Sequence, residues 1–163
     1  MDIIYPALTI DRIRTFLTSR QERLAIAESV TSGLLQAAFS TAQDASLFFE
    51  GGITAYNIEQ KTRHLHIDKK FAESCNCVSA RTADEMALGV CDLFKCEWGV
   101  SITGYASPVK ESDFQLFAYF SIAHKKKIMR SKRIDLRNQE TTEAQLEYVY
   151  YVLNEFEKVI SEH

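Results

Sequence analysis

The residues best suited to chemistry form one short island, Glu28-Ser29-Val30-Thr31-Ser32-Gly33, inside the stretch LAIAESVTSGLLQAAF. An apolar, strand-like run ends at Glu28, and a helix-like pattern begins after Gly33. Two readings fit this junction. Ser, Thr and Gly are ordinary helix N-cap residues, so the island reads as a capped turn. A strand-to-helix turn also points free backbone N–H groups at whatever occupies its mouth, so it reads equally as a cradle for an anion or an oxyanion, with Ser29 as nucleophile. Serine needs a base. His64 and His66 follow a polar helix, His124 sits in a lysine-rich turn and His163 is the last residue, so no Ser-His-Asp set emerges. A lysine can replace histidine if burial or nearby positive charge brings its pKa down from roughly 10.4. Periodicity does not choose among the lysines.

Alternating elements must position these groups. Helical spacing predicts helices over Thr9 to Arg20, Thr31 to Ser40, Asn57 to Leu65, the segment after Val78-Ser79, and Thr141 to Ile160. Strands are predicted over Arg23 to Ala27, Leu47 to Tyr56, Trp98 to Thr103, Phe114 to Ala123 and Lys127 to Leu136. Gly51-Gly52 inside the second strand calls for close approach of a backbone or a ligand. The alternation implies a layered α/β/α domain with a mixed parallel and antiparallel sheet. In such sheets ligands gather where strands end and helices begin. Three segments qualify: the island at Glu28, the run from Gly51 to Lys61, and Thr103-Gly104 through Pro108.

The 163 residues suit a single domain spanning 1–163, with a core large enough to need no staples. A net charge of -3 argues against a nucleic-acid partner, and His124-Lys125-Lys126-Lys127 reads as a hairpin turn. No apolar run reaches the roughly 18 to 20 residues of a membrane helix, and no secretory leader pattern opens the chain. The expectation is therefore a cytoplasmic protein, off the membrane, with Cys75, Cys77, Cys91 and Cys96 as reduced thiols. Cys75-x-Cys77 lacks a recognised zinc spacing, so no metal is expected. Apolar residues on Thr9 to Leu17 and on the last helix (Leu146, Val149, Tyr150, Leu153) serve either a homo-oligomer or the core.

Four segments in order resemble the C-terminal domain of the competence/damage-inducible protein CinA, the nicotinamide-nucleotide amidases. The family pattern A-E-S-x-T-G-G matches Ala27 to Gly33, and G-G-x-x-x-Y-x-N-x-x-K matches Gly51 to Lys61. Its V-S…M-A helix matches Val78-Ser79 with Met86-Ala87, and its I-T-G-x-x-G-P strand end matches Ile102 to Pro108. The resemblance implies hydrolysis of the carboxamide of nicotinamide mononucleotide to the acid and ammonia, without metal or other cofactor. It implies Ser29 as nucleophile, Lys61 as base and Tyr56 as an orienting or relaying group. N–H groups around Thr31, Ser32 and Gly33 would hold the oxyanion or part of the nucleotide, and Thr103 and Gly104 would line the pocket. Gly51, Gly52 and Glu28 complete the implied substrate site, Glu28 either orienting a partner or holding the turn. A small-molecule nucleotide as partner is also implied, while the expectation of a homo-oligomer rests on the apolar helix residues named above.

This chain departs from the family pattern at three places near the ligand. Ser32 replaces the first paired glycine, Ile58 replaces an asparagine with Asn57 next to it, and no glycine follows Gly104 before Phe114. A glycine-rich loop lets backbone N–H groups wrap an anion, so its loss removes a phosphate cradle, with Lys110 as one available charge. Two functions remain open on the sequence: a working amidase with altered substrate choice, and a binding or regulatory protein that kept the scaffold without turnover.

Overall fold

A computed structural model describes residues 2–163. The chain runs α1 (Ala7–Ser19), β1 (Leu24–Glu28), α2 (Leu34–Ser40), β2 (Phe49–Thr54), α3 (Ile58–Leu65), α4 (Lys69–Ser74), α5 (Ala80–Phe94), β3 (Trp98–Gly104), β4 (Leu116–His124), β5 (Lys127–Leu136) and α6 (Thr141–Ser161). The five strands form one sheet in the order β2-β1-β3-β4-β5. The inner strand β1 runs parallel to β2 and β3, while β3-β4 and β4-β5 are antiparallel. Lys125 and Lys126, both at positive φ, make the tight turn of the β4-β5 hairpin.

Strand β1 is buried on both sides, and its alternation divides two cores. Leu24 and Ile26 face Leu35, Ala38, Phe39 and the inner side of α6, whereas Ala25 and Ala27 face Leu65, Met86 and Val90 on the opposite side. Alanines on that second face let α5 lie close to the sheet. Gly99 extends the same logic: a Cβ there would stand 2.3 Å from the carbonyl oxygen of Ala87. Of the apolar positions on α1 and α6 that suited either an oligomer or the core, Ile10, Ile13, Leu17, Leu146, Val149 and Leu153 are buried in the core, and Tyr150 is half-buried against it.

Two expected elements differ, and a third element is new. Thr31 to Gly33 is a turn and not the first helical turn, because Ser32 and Gly33 both take positive φ. The second strand begins only at Phe49, after a single 3-10 turn at Ala45–Leu47. The short helix α4 was not expected; Asp68 starts it by accepting from the Phe71 N–H at 3.1 Å. Six residues carry too little periodicity to announce a helix.

Gly89 sits in the middle of α5, where helix propensity alone favours alanine by about 1 kcal/mol. A Cβ at Gly89 would meet the carbonyl oxygen of Leu65 at 2.2 Å, so α3 and α5 could not keep their contact. Gly89→Ala is expected to destabilise the protein by about 2 kcal/mol in urea unfolding, the opposite sign from the propensity argument.

Candidate active site

The chain leaves β1 toward α2 on one face of the sheet and leaves β2 toward α3 on the other. Such a reversal opens a crevice at the carboxyl ends of the strands. A cavity of about 700 Å3 lies there. Ser29, the first residue after β1, lines it, and Lys61 reaches it from α3. Asn57 caps α3 by accepting from the Gln60 N–H at 3.0 Å, which places Lys61 one turn into the helix on its buried side.

Lys61 is 2% exposed, and its Nζ donates to Ser29 Oγ at 2.9 Å and to the Tyr56 carbonyl oxygen at 3.2 Å. Among the described residues no carboxylate pairs with it. Burial without a counter-ion pushes its pKa from the usual lysine range down to about 8, with the neighbouring Cys77 acting weakly in the opposite direction. The Cys77 thiol, also on the cavity wall, is itself pushed up by burial and stays protonated at neutral pH.

Behind Ser29, the fully buried Glu28 carboxylate organises the turn. Its Oε2 accepts from Thr31 Oγ1 at 2.5 Å, the Gly33 N–H at 3.0 Å and the Leu35 N–H at 3.1 Å, and its Oε1 accepts from the Gln36 N–H at 2.6 Å. The carboxylate thus satisfies the open N-terminus of α2, where negative charge is favoured. The Ser32 N–H turns back to the Ser29 carbonyl oxygen at 3.1 Å. The donors of Ser32 and Gly33 are therefore spent within the turn, and those of Val30 and Thr31 have no acceptor among the described residues.

The other sequence-predicted residues separate into two groups. Thr103 and Gly104 line the cavity, as does Tyr56, although its ring is exposed and only its carbonyl oxygen touches Lys61. Glu28, Thr31, Ser32, Gly33, Gly51 and Gly52 stand outside the lining. Gly52 serves packing: a Cβ there would lie 2.5 Å from the Ile26 carbonyl oxygen and 2.7 Å from the Gln36 side chain. Ser32 holds φ +50 without glycine, so the turn keeps its shape with an exposed hydroxymethyl group. Ile58 lines the cavity, while Asn57 spends its side-chain oxygen on the cap. Lys110 is exposed on a 3-10 turn outside the lining.

The far wall adds Asn76, Cys77 and Gln145, which sequence reasoning did not place in the site. Asn76 and Cys77, both at positive φ, turn the chain between α4 and α5. Asn76 Nδ2 donates to Tyr105 Oη at 3.0 Å, and Thr103 Oγ1 donates to the Cys77 carbonyl oxygen at 2.8 Å. From α6, Gln145 Nε2 donates to the Val30 carbonyl oxygen at 2.9 Å and Tyr148 Oη to the Tyr105 carbonyl oxygen at 2.8 Å. Thr141 and Gln145 lie one helical turn apart on α6, and among its many polar residues no local pattern marks them out.

The family model described as the CinA C-terminal domain matches residues 8–160. The chain belongs to that family. A CinA-like protein from Synechocystis sp. is 40% identical over 96 residues, covering 59% of this chain and 23% of the relative. A putative competence-damage inducible protein from Halothermothrix orenii is 38% identical over 103 residues, covering 63% and 25%. The chain thus matches about a quarter of the length of these relatives. The fold is that of a CinA superfamily protein from Klebsiella pneumoniae (TM-score 0.89, 22% identity, 96% of this chain and 98% of that one). A CinA superfamily protein from Enterobacter cloacae is equally similar (TM-score 0.89, 23% identity, 98% and 95%). Among the described residues no helix is long and apolar enough to cross a membrane, and no group of three or more His, Cys, Asp or Glu side chains is placed to hold a metal ion.

The unpaired Lys61 ammonium has a measurable cost. Its folded pKa of about 8 lies below the ordinary 10.5, so between those values the unfolded chain holds a proton that the folded chain has lost, and stability rises with pH. Below pH 8 the full penalty, up to ~3 kcal/mol, is present. Lys61→Met is expected to be more stable than the wild type at pH 7, with the gap closing as pH rises through the 8 to 10.5 window. Thermal or urea unfolding at a series of pH values checks this.

Proposed function

We propose that this CinA-family domain is an amidase that hydrolyses a linear carboxamide, that of nicotinamide mononucleotide or a related pyridine amide, to the acid and ammonia. The observation that carries this reading is the buried contact between Lys61 Nζ and Ser29 Oγ at 2.9 Å, with no carboxylate to hold the lysine charged. A lysine with a pKa of about 8 is partly neutral near physiological pH, and its lone pair can then accept the Ser29 proton. The Tyr56 carbonyl oxygen takes one N–H of the amine and so aims that lone pair at the hydroxyl.

In this mechanism Ser29 Oγ attacks the amide carbon as its proton passes to Lys61. The oxyanion of the tetrahedral intermediate takes a donor from the uncommitted N–H of Val30, which lines the cavity beside Ser29. Lys61 returns the proton to the amide nitrogen, the C–N bond breaks and ammonia leaves an acyl ester on Ser29. Water, deprotonated by the same lysine, then attacks the ester and releases the acid. Glu28 acts through the turn that it caps and not on the substrate. Tyr56, Thr103 and Gly104 contribute pocket walls.

Ammonia release from nicotinamide, its riboside and its mononucleotide tests the reading. Ser29→Ala and Lys61→Ala are each expected to lower kcat on the order of 10^3-fold or more while leaving the circular dichroism spectrum native. If the wild-type protein releases no ammonia from any pyridine amide, the amidase reading is wrong and a binding role takes its place. The pH dependence is a separate check. Because the base must be neutral, kcat/KM for the free enzyme is expected to rise about tenfold per pH unit and level off above pH 8. A profile flat from pH 6 to 9 would exclude Lys61 as the base.

A further inference from the structure

Two of the four cysteines stand together at the turn from α5 into β3, at the opposite end of β3 from the cavity residues Thr103 and Gly104. Helix α5 ends at Phe94, and Lys95 follows in the left-handed region at φ +54. The Lys95 and Cys96 N–H groups both turn back to the Cys91 carbonyl oxygen, the second at 3.2 Å. A helix ending of this kind brings the side chain in the last turn against the one that follows the left-handed residue, here Cys91 against Cys96. Both sulfurs face the start of β3. Cys96 Sγ donates to the Trp98 carbonyl oxygen at 3.2 Å, and Cys91 Sγ lies 4.0 Å from that of Glu97. Gly99 leaves room for the pair, since a Cβ there would fall 2.6 Å from Cys91 Sγ.

The two thiols are not equivalent. Cys91 is buried, whereas Cys96 keeps part of its surface in solvent. The Cys91 S–H donates to the Cys96 sulfur, which pulls the Cys96 pKa below the ordinary thiol value although Glu97 and Glu50 act against it. The same hydrogen bond, with burial, pushes Cys91 up. An accessible thiol stabilised as thiolate beside a second thiol is the arrangement in which the first meets an oxidant and the second resolves the product. The other two cysteines lack it: Cys75 donates to the Phe71 and Ala72 carbonyl oxygens at 3.6 and 3.7 Å, and the buried Cys77 is held protonated.

We propose that Cys96 and Cys91 are a peroxide-oxidisable dithiol, with Cys96 as the attacking thiol and Cys91 as the resolving one. The Cys96 thiolate attacks one oxygen of hydrogen peroxide, the O–O bond breaks, and the departing hydroxide takes a proton to leave as water. Cys91 sulfur then attacks the resulting sulfenic acid. The S–S bond forms, the S–O bond breaks, and the hydroxide leaves with the Cys91 proton as a second water. Two thiols lose two electrons and the peroxide gains them. Neither residue belongs to the candidate active site, so the proposal stands apart from the amidase reading.

Peptide mass spectrometry of the full chain after brief hydrogen peroxide treatment and thiol alkylation tests it. Trypsin cleaves after Lys95, so the bridge joins the peptides 82–95 and 96–110, and reductant separates them. The linked peptides are expected in protein that stays monomeric on a non-reducing gel, with Cys96 lost at least about tenfold faster than Cys75 or Cys77. In Cys91→Ala, Cys96 is expected to accumulate as a sulfenic acid that dimedone traps; in Cys96→Ala, Cys91 is expected to stay reduced. Oxidation of Cys75 or Cys77 ahead of Cys96 overturns the proposal, as does a linkage found only between two chains or no linkage at all. Loss of Cys91 at the wild-type rate in Cys96→Ala overturns the assigned order of attack.

Discussion

A lysine amine buried beside a serine hydroxyl, with no carboxylate to balance it, is the constraint around which the site is arranged. In water an ammonium group is strongly solvated, and its transfer to a protein interior is opposed unless the group is paired or loses its proton. Here two neutral oxygens, Ser29 Oγ and the Tyr56 carbonyl, take the place of a counter-ion. They satisfy donors without holding the proton. The same arrangement that makes Lys61 a poor contributor to stability suits it to proton transfer, a common relation between strain and function.

The opposite end of the sheet shows what the chain does with a buried charge that it keeps. Glu22 accepts from Trp98 Nε1 at 2.6 Å, from Lys125 Nζ at 2.8 Å and from His124 Nε2 at 3.1 Å. Burial alone would raise its pKa, but hydrogen bonds from Lys125, Trp98 and His124 outweigh that effect and hold it at about 2. His124 stacks on the Trp98 ring at 4.1 Å, which closes the cluster to solvent. Glu22 is paired and firmly ionised; Lys61 is unpaired and easily neutralised. The contrast is one of partners, since both groups are largely removed from water.

Glu28 links the scaffold to the site. Its carboxylate gathers four donors from the turn and the first residues of α2, and this fixes where the backbone presents Ser29 at the end of β1. The reach of Gln145 and Tyr148 from α6 to Val30 and Tyr105 then ties the last helix to both the turn after β1 and the loop after β3. Three segments distant in sequence are thereby held together at the strand ends.

Local sequence determined much of this protein. Alternating periodicities set the order of helices and strands, Ser79 and Asn57 announced the starts of α5 and α3, and the lysine pair marked the β4-β5 turn. The motif residues Ser29, Lys61, Thr103 and Gly104 were legible because they recur at a pattern's spacing. What only the tertiary structure decided concerns environment. Whether Gly52 met a ligand or a backbone, whether Glu28 faced substrate or capped a helix, and whether the apolar faces of α1 and α6 served a core or a partner all depended on what lay opposite. Asn76, Cys77 and Gln145 reach the cavity through chain crossings that no local pattern encodes. The state of Lys61 is the clearest case. A lysine in the segment IEQKTRHL looks like a solvated surface group, and it becomes a candidate base only because the fold removes its water and withholds a counter-ion.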